Sequence, residues 1–429
     1  MSHRTDDPSP DPPDAPAGPD APTAQDLPRD AAETAGKSAR QARRIVGTLR
    51  AARYPVFEAM KGGLPNYWYP VMRARSVPKR APKAITLLGE KIMLVREGGS
   101  IYALADRCPH RGVPLSIGRR WEFMPGGGRR EFPGTFTCAY HGWTYDLCTG
   151  RLVAALTDGP AASIVRNGGV AVRTYPVAVR SGIVWIWVGD HDPVPVEEDI
   201  PPRYRHADNV IVSWFRIRDG NWRDAAENGY DLGHFYYLHR TAFGYLFSRR
   251  DYPVGMVAKK PLLSEDGTEI DFMVAGWGKA ELDFPGLGRW PPRAPWVFGI
   301  GRLMRRYSGR PATSVAMGTP FRRPAVLEVQ GWPHRDMTHF EWYVPVDDDH
   351  YIYFQNFVIR TSSRVRAAAF RLWYWAWGRW VWHHNFNSQD FAMVAAIDAS
   401  NPEILFRPDS AIRQLRRFIE ADPRWPGGQ

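Results

Sequence analysis

Cys138-Ala139-Tyr140-His141-Gly142-Trp143, preceded by Cys108-Pro109-His110-Arg111-Gly112, is the part of this 429-residue chain that decides how the rest is read. Each loop offers one thiolate and one imidazole, at C-x-H and C-x2-H spacing. Four such ligands can hold zinc as Cys2His2, or a Rieske [2Fe–2S] cluster with two Cys on one iron and two His on the other. A glycine close behind each histidine favours the cluster, because close loop packing leaves backbone N–H groups free to bond its sulfurs. Zinc stays open as the alternative. Cys148 lies outside both loops and reads as a buried structural thiol. Three cysteines exclude a disulfide framework and fit a reducing cytosol, so a cytoplasmic location is expected.

Downstream, Glu227 to His239 reads E-N-G-Y-D-L-G-H-F-Y-Y-L-H. On a helix, Glu227, Asp231 and His234 fall within one sector of about 60°, while His239 lies about 140° from His234. A regular helix cannot aim both imidazoles at one point. Either the residues are unrelated, or the helix breaks between Gly233 and His239 and the rings converge on a metal. Two His and one carboxylate form the facial triad of non-haem Fe(II) oxygenases, which leaves positions open for O2 and substrate. Alone, D-x-x-H-x4-H is a weak signal.

The two loops, followed by E-N-x-x-D-x-x-H-x4-H, resemble the oxygenase (alpha) component of Rieske non-haem iron oxygenases over roughly residues 64 to 420. Within that family, N-Y-W-Y-P-V-M at 66–72, F-E-W-Y-V-P-V at 340–346 and N-P-E-I-L-F at 401–406 are similar to the carbazole-dioxygenase-like branch. Two features depart from that branch. The gap between His110 and Cys138 is 27 residues, with Gly126-Gly127-Gly128-Arg129-Arg130 as an inserted surface loop. His234 and His239 are one residue further apart, as in the wider family.

The resemblance implies an α+β fold. A mostly antiparallel β Rieske domain is expected at 64–190, and a helix-grip (START-like) catalytic domain at 191–429, its antiparallel sheet around a long C-terminal helix. Before them lie an acidic, Pro-rich tail at 1–37, too poor in large apolar residues to order, and a basic amphipathic helix at 38–63 that Pro55 ends or kinks. Gly-Glu at 89–90 and Gly-Gly at 98–99 read as hairpin turns. Strands are predicted at 210–218, 269–275, 315–318, 325–331, 338–344 and 351–359. The helix is predicted from 365 to about 398. On it, the resemblance places the third iron ligand at Asp390, a choice over Asp398 that spacing alone cannot make. Glu227 and Asn228 match positions just outside the ligands. Trp373, Trp375, Trp377, Trp380 and Trp382 on the same helix are mostly packing, although a partly exposed Arg/Trp face suits a membrane interface or an apolar substrate entrance. His383 and His384 read as core or solvent histidines.

No G-x-G-x-x-G fingerprint is present, so hydride cannot readily come from NAD(P)H on this chain. The resemblance implies a ferredoxin or ferredoxin reductase as electron donor, O2 and a hydrophobic small molecule as substrates, and a homotrimer. The formal charge of +11 suits an acidic donor. No nucleic-acid motif is present, and no 18-residue apolar run predicts a membrane span. Asp231 is expected to bridge the two centres by accepting hydrogen bonds from His234 and from His141 of a neighbouring subunit. The expected reaction is hydroxylation or dihydroxylation of a heteroaromatic or polycyclic molecule. The alternative is oxidative carbocyclisation, as in the prodiginine-type branch. A competing class is an electron-transfer protein with a cluster and no mononuclear iron, against which the complete triad argues.

Overall fold

The computed structural model describes residues 47–118, 121–123, 129–231, 233–242, 257–275, 282–284, 288–290, 319–331, 334 and 336–425. The acidic tail, the basic helix before residue 47, the loop at 126–128 and the strand predicted at 315–318 lie outside these residues.

The first half is built from short antiparallel strands. One sheet runs in the order Thr174–Tyr175, Ser100–Ala105, Glu90–Glu97, Lys83–Leu87. A second pairs Tyr67–Arg73 with Ile183–Val188 and Val177–Arg180. A third joins Thr135–Thr137, Trp143–Asp146 and Leu152–Ala155. The hairpin at 98–99 falls where Gly-Gly predicts it. The other turns on Leu88 and Gly89, one residue early, so Glu90 already belongs to a strand. A small core of Met93, Val95, Leu104, Leu115, Phe136 and Tyr145 lies beneath both cysteine loops.

The second half is a seven-stranded antiparallel sheet in the order Asn209–Asp219, His350–Arg360, Met337–Pro345, Val326–Gln330, Phe321–Arg322, Glu269–Ala275, Val257–Leu263. Asn209–Asp219 and His350–Arg360 pair without a slip, from Asn209 opposite Arg360 to Asp219 opposite His350. From Asn209 to Trp214, alternate side chains are buried, as period two requires when one face meets a core. His350–Arg360 is buried almost throughout, so both its faces are covered.

A long helix crosses this sheet. Ser363 caps it by accepting from the Arg366 N–H at 3.3 Å, and the run Arg364–Trp373 is rich in strong helix formers. It continues through wider π turns at Tyr374–Gly378 and Trp380–Phe386 into Asn387–Val394. The helix therefore ends near 394, not 398. A continuous core from Tyr54 to Ile419 fuses the two halves, with Trp185 edge-on to Trp342 at 5.9 Å.

Candidate active site and metal centres

The cysteine loops share one hydrogen-bond scheme. Gly112 N–H donates to the Cys108 carbonyl at 2.8 Å, and Gly142 N–H to that of Cys138 at 3.2 Å. Cys108 N–H donates to Val113 O, and Cys138 N–H to Trp143 O. Both glycines have positive φ, +73° and +66°, and a Cβ on Gly142 would collide with Leu156 at 2.7 Å. The N–H groups of Tyr140 and His141 are directed at the Cys138 sulfur, opposing the burial that raises its pKa. Cys108 Sγ meets the Tyr145 hydroxyl at 3.1 Å. The imidazoles of His110 and His141 face outward, 4.6 Å apart, with His110 stacked on Trp143. Two buried sulfurs below two outward imidazoles fit a cluster with one inner and one outer iron. Among the described residues, the ligand atoms of His234, His239 and Asp390 lie within 4.8 Å of one another. Cys148 is exposed, not buried as its sequence context suggested, because it stands in the turn after Asp146.

The second site begins where the helix Trp222–Tyr230 stops. Asp231 leaves helical geometry, with ψ 124°, and a new short helix starts at His234 and runs to Leu238. The break thus falls at Asp231, earlier than predicted. It frees the Asp231 carboxylate to accept from the N–H groups of Gly233 at 2.6 Å and His234 at 3.1 Å. It also lets the two imidazoles converge. His234 Nε2 and His239 Nε2 lie 3.5 and 3.1 Å from one oxygen, Asp390 Oδ1. Each ring is steered from its far side. His234 Nδ1 faces Asp231 at 3.4 Å, and His239 Nδ1 faces Gln389 Oε1 at 3.2 Å. Outer partners of this kind fix ring orientation in metal-binding histidines. His239 is also stacked on Phe386. Burial disfavours the His234 cation, but Asp231 and Asp390 outweigh it and raise its pKa. A charge is therefore wanted between these groups, which a divalent metal with open positions would supply.

Asn228 donates to Asp390 Oδ1 at 3.1 Å, as its position implies. Glu227 does not reach the ligands. Its carboxylate takes both arms of Arg416, at 2.7 and 2.8 Å, in a buried corner completed by Glu403, Arg50 and Asp224. Asp398 is exposed beyond the helix and bonds Ser400.

Two supports were missed in the sequence. Gln389 is one. The other is a buried polar set under the helix: Asn387 donates to Tyr353 at 2.6 Å and Gln355 at 3.2 Å, and Gln355 bonds Glu341, which also takes His339 and Tyr343. Burial pushes the Glu341 carboxyl up; His339 and the tyrosine hydroxyls outweigh it, so it stays ionised. Asn387 precedes Asp390 by one turn. Only the buried polar residue types hinted at this set.

The family model described as homotrimeric ring hydroxylase matches residues 187–424, and the Rieske [2Fe–2S] domain model matches 67–176. The chain belongs to the Rieske ring hydroxylases. It is 34% identical over 368 residues to the terminal oxygenase component of carbazole 1,9a-dioxygenase from Sphingomonas sp, covering 83% of this chain and 91% of that one. A similar structure is a carbazole-bound oxygenase–ferredoxin complex of carbazole 1,9a-dioxygenase, at TM-score 0.72 and 28% identity over 87% of this chain and 94% of that one. Another is the corresponding terminal oxygenase from Nocardioides aromaticivorans IC177, at TM-score 0.69 and 26% identity over 87% and 98%. As a Rieske ring hydroxylase, the chain is an O2-dependent oxidoreductase with a [2Fe–2S] cluster and a mononuclear iron.

Proposed function

We propose that Cys108, His110, Cys138 and His141 hold the Rieske cluster, that His234, His239 and Asp390 hold the mononuclear iron, and that the enzyme hydroxylates or dihydroxylates a hydrophobic heteroaromatic or polycyclic molecule. The observation that carries this reading is the convergence of both Nε2 atoms on Asp390 Oδ1. Iron bound there would supply O2 activation, using electrons received through the cluster. The protein's own work is positional. Asp231 and Gln389 aim the imidazoles, and Asn228 holds the carboxylate. The outward imidazoles of His110 and His141 form the edge at which a ferredoxin would hand over electrons. Relatives named for carbazole, one of them solved with carbazole and ferredoxin, support this substrate class and donor.

Incubation with a ferredoxin, its reductase, O2 and carbazole or another fused heteroaromatic tests the reading. A product heavier by one or two oxygen atoms, labelled from 18O2, is expected. A product lighter by two hydrogens would identify the alternative, oxidative carbocyclisation. An unchanged substrate panel, with both metals present, would refute the substrate class.

A further inference from the structure

The first half of the long helix presents an apolar stripe to solvent. Val365, Leu372 and Trp375 are 80%, 70% and 66% exposed. Ala368 and Ala369 are exposed between them, and Ala376 just after them. The spacing 365, 368, 372, 375 is that of one helical face. The buried positions Ala367, Phe370 and Tyr374 occupy the opposite face, against the sheet. The wider turn at Tyr374–Gly378 helps to separate two kinds of tryptophan. Trp373 lies across Gly378, where a Cβ would meet its ring at 2.9 Å, and stacks on Phe370. Trp375 points outward with the Arg379 guanidinium over its ring at 4.2 Å. Trp377 and Trp380 are about half exposed and touch each other at 5.4 Å.

Charge decides what fits there. Arg364, Arg366, Arg371 and Arg379 flank the stripe, all exposed, and no Asp or Glu occurs from 364 to 389. Only Arg366 has an acidic neighbour among the described residues, Asp336 at 2.9 Å. An apolar stripe with outward tryptophans, edged by arginines alone, is the pattern of a helix lying in a lipid headgroup layer. An acidic protein would match the arginines by charge, but the long single-faced stripe of Val365, Leu372 and Trp375 with arginines along its edges is the arrangement an interfacial helix uses. A neighbouring chain of the homotrimer is the alternative cover, and whether the trimer dissociates when the stripe is mutated separates it from lipid. This is not the corner where the two metal centres of neighbouring chains would meet. Trp375 is fifteen residues before Asp390, roughly 20 Å away along the axis. No helix among the described residues is long and apolar enough to cross a bilayer, so the contact would be peripheral.

We propose that the 364–380 face of the helix docks the enzyme on an anionic bilayer surface, with Leu372 and Trp375 in the headgroup layer and the arginines on its phosphates. The proposal does not depend on the substrate or on the reaction. It is tested by co-sedimentation of the iron-loaded full chain with vesicles of phosphatidylcholine containing one-quarter phosphatidylglycerol, against pure phosphatidylcholine. Binding is expected to the anionic vesicles, weakening as salt rises. Arg364→Gln with Arg371→Gln should cost about fivefold per arginine removed. Leu372→Ser with Trp375→Ser should cost at least tenfold while the Rieske visible spectrum, which reports folding, is retained. Should that variant not fold, quenching of wild-type tryptophan by lipids brominated near the headgroup, smaller in Trp375→Phe, tests the same contact. No binding to either vesicle, equal binding by wild type and both variants, or dissociation of the trimer by Leu372→Ser/Trp375→Ser would each overturn the proposal.

Discussion

Asp390 Oδ1 accepts from Asn228 Nδ2 and lies 3.5 and 3.1 Å from the Nε2 atoms of His234 and His239. Replacing His234, His239 or Asp390 by Ala should therefore remove the mononuclear iron and all turnover, and leave the iron and visible spectrum of the cluster untouched. Asp398→Ala should change neither, since that carboxylate serves only a turn. Iron analysis with the spectrum decides both; iron loss in Asp398→Ala would reverse the ligand choice. Glu227 shows the limit of motif reading. Its position in E-N-x-x-D was legible, its duty was not, because the partner Arg416 is 189 residues away. Removing one member of a buried ion pair leaves the other charge buried and uncompensated. Arg416→Met, which strands Glu227 and Glu403, should lower stability by about 3–5 kcal/mol, read as a fall in the denaturant midpoint. A midpoint equal to wild type would mean the corner is structurally idle.

At the level of elements, the long helix was legible in existence and roughly in length, because Ser363 and the Arg/Ala run that follows are local signals. Its π turns were not, since they answer to how bulky aromatics meet the sheet. The bolt at Asn387 was also hidden, because Tyr353 and Gln355 come from a strand more than thirty residues earlier. If Asn387 holds the turn that carries Asp390, Asn387→Leu should weaken iron binding by about 10–100-fold, the usual cost of losing a support behind a ligand. Iron titration by a ferrous chelator competition measures this; unchanged affinity would confine Asn387 to packing. His383 gives a pH test. Burial, with His384 and His339 adding to it, lowers its pKa to about 3. It is stacked on Trp214 and bonded to Tyr374 at 2.9 Å. The unfolded chain binds this proton near pH 6.5 and the folded chain does not. The stability His383 brings is therefore complete above about pH 6.5 and is lost as pH falls towards 3. His383→Gln should flatten the wild-type decline over that window by up to about 1.4 kcal/mol per pH unit. Parallel stability–pH curves for the two proteins would show that His383 is not buried neutral.

In the whole molecule, the order of the cysteine loops and of E-N-x-x-D-x-x-H-x4-H carried the family resemblance, and through it the two cofactors and the α+β architecture were legible. The identity of the substrate was not legible, since substrate choice rests on pocket shape and not on ligand spacing. We propose that electrons pass between neighbouring chains of the homotrimer, from His141 of one to Asp231 and His234 of the next. Asp231→Asn keeps the shape and weakens charge-assisted bonds, which are roughly twice as strong as neutral ones. Both centres should fill, and reduction of the cluster should stay normal, while single turnover from a pre-reduced cluster slows sharply. Trimers mixing Asp231→Asn chains with His141→Ala chains should recover part of the activity, because one interface then pairs an intact His141 with an intact Asp231. Mixed trimers of proven composition without recovery would count against this route.

The end of the helix that carries Arg416, with the residues just after it, also has a bearing on the order in which the chain can be completed during synthesis. Glu420 accepts from Phe57 N–H, Asp422 from the Tyr67 hydroxyl, and the Arg424 guanidinium donates to Asn66 O, joining residues more than 350 positions apart. The strand Tyr67–Arg73 emerges from the ribosome early, yet the carboxylate that takes its Tyr67 hydroxyl, Asp422, arrives only after the helix Ser410–Glu420. Those contacts of the amino-terminal half are expected to form only when nearly the whole of this sequence has been translated. A chain cut before Ser410 should therefore be more open to proteases at Phe57 to Tyr67 than the full chain, even though it contains every residue we propose as a ligand.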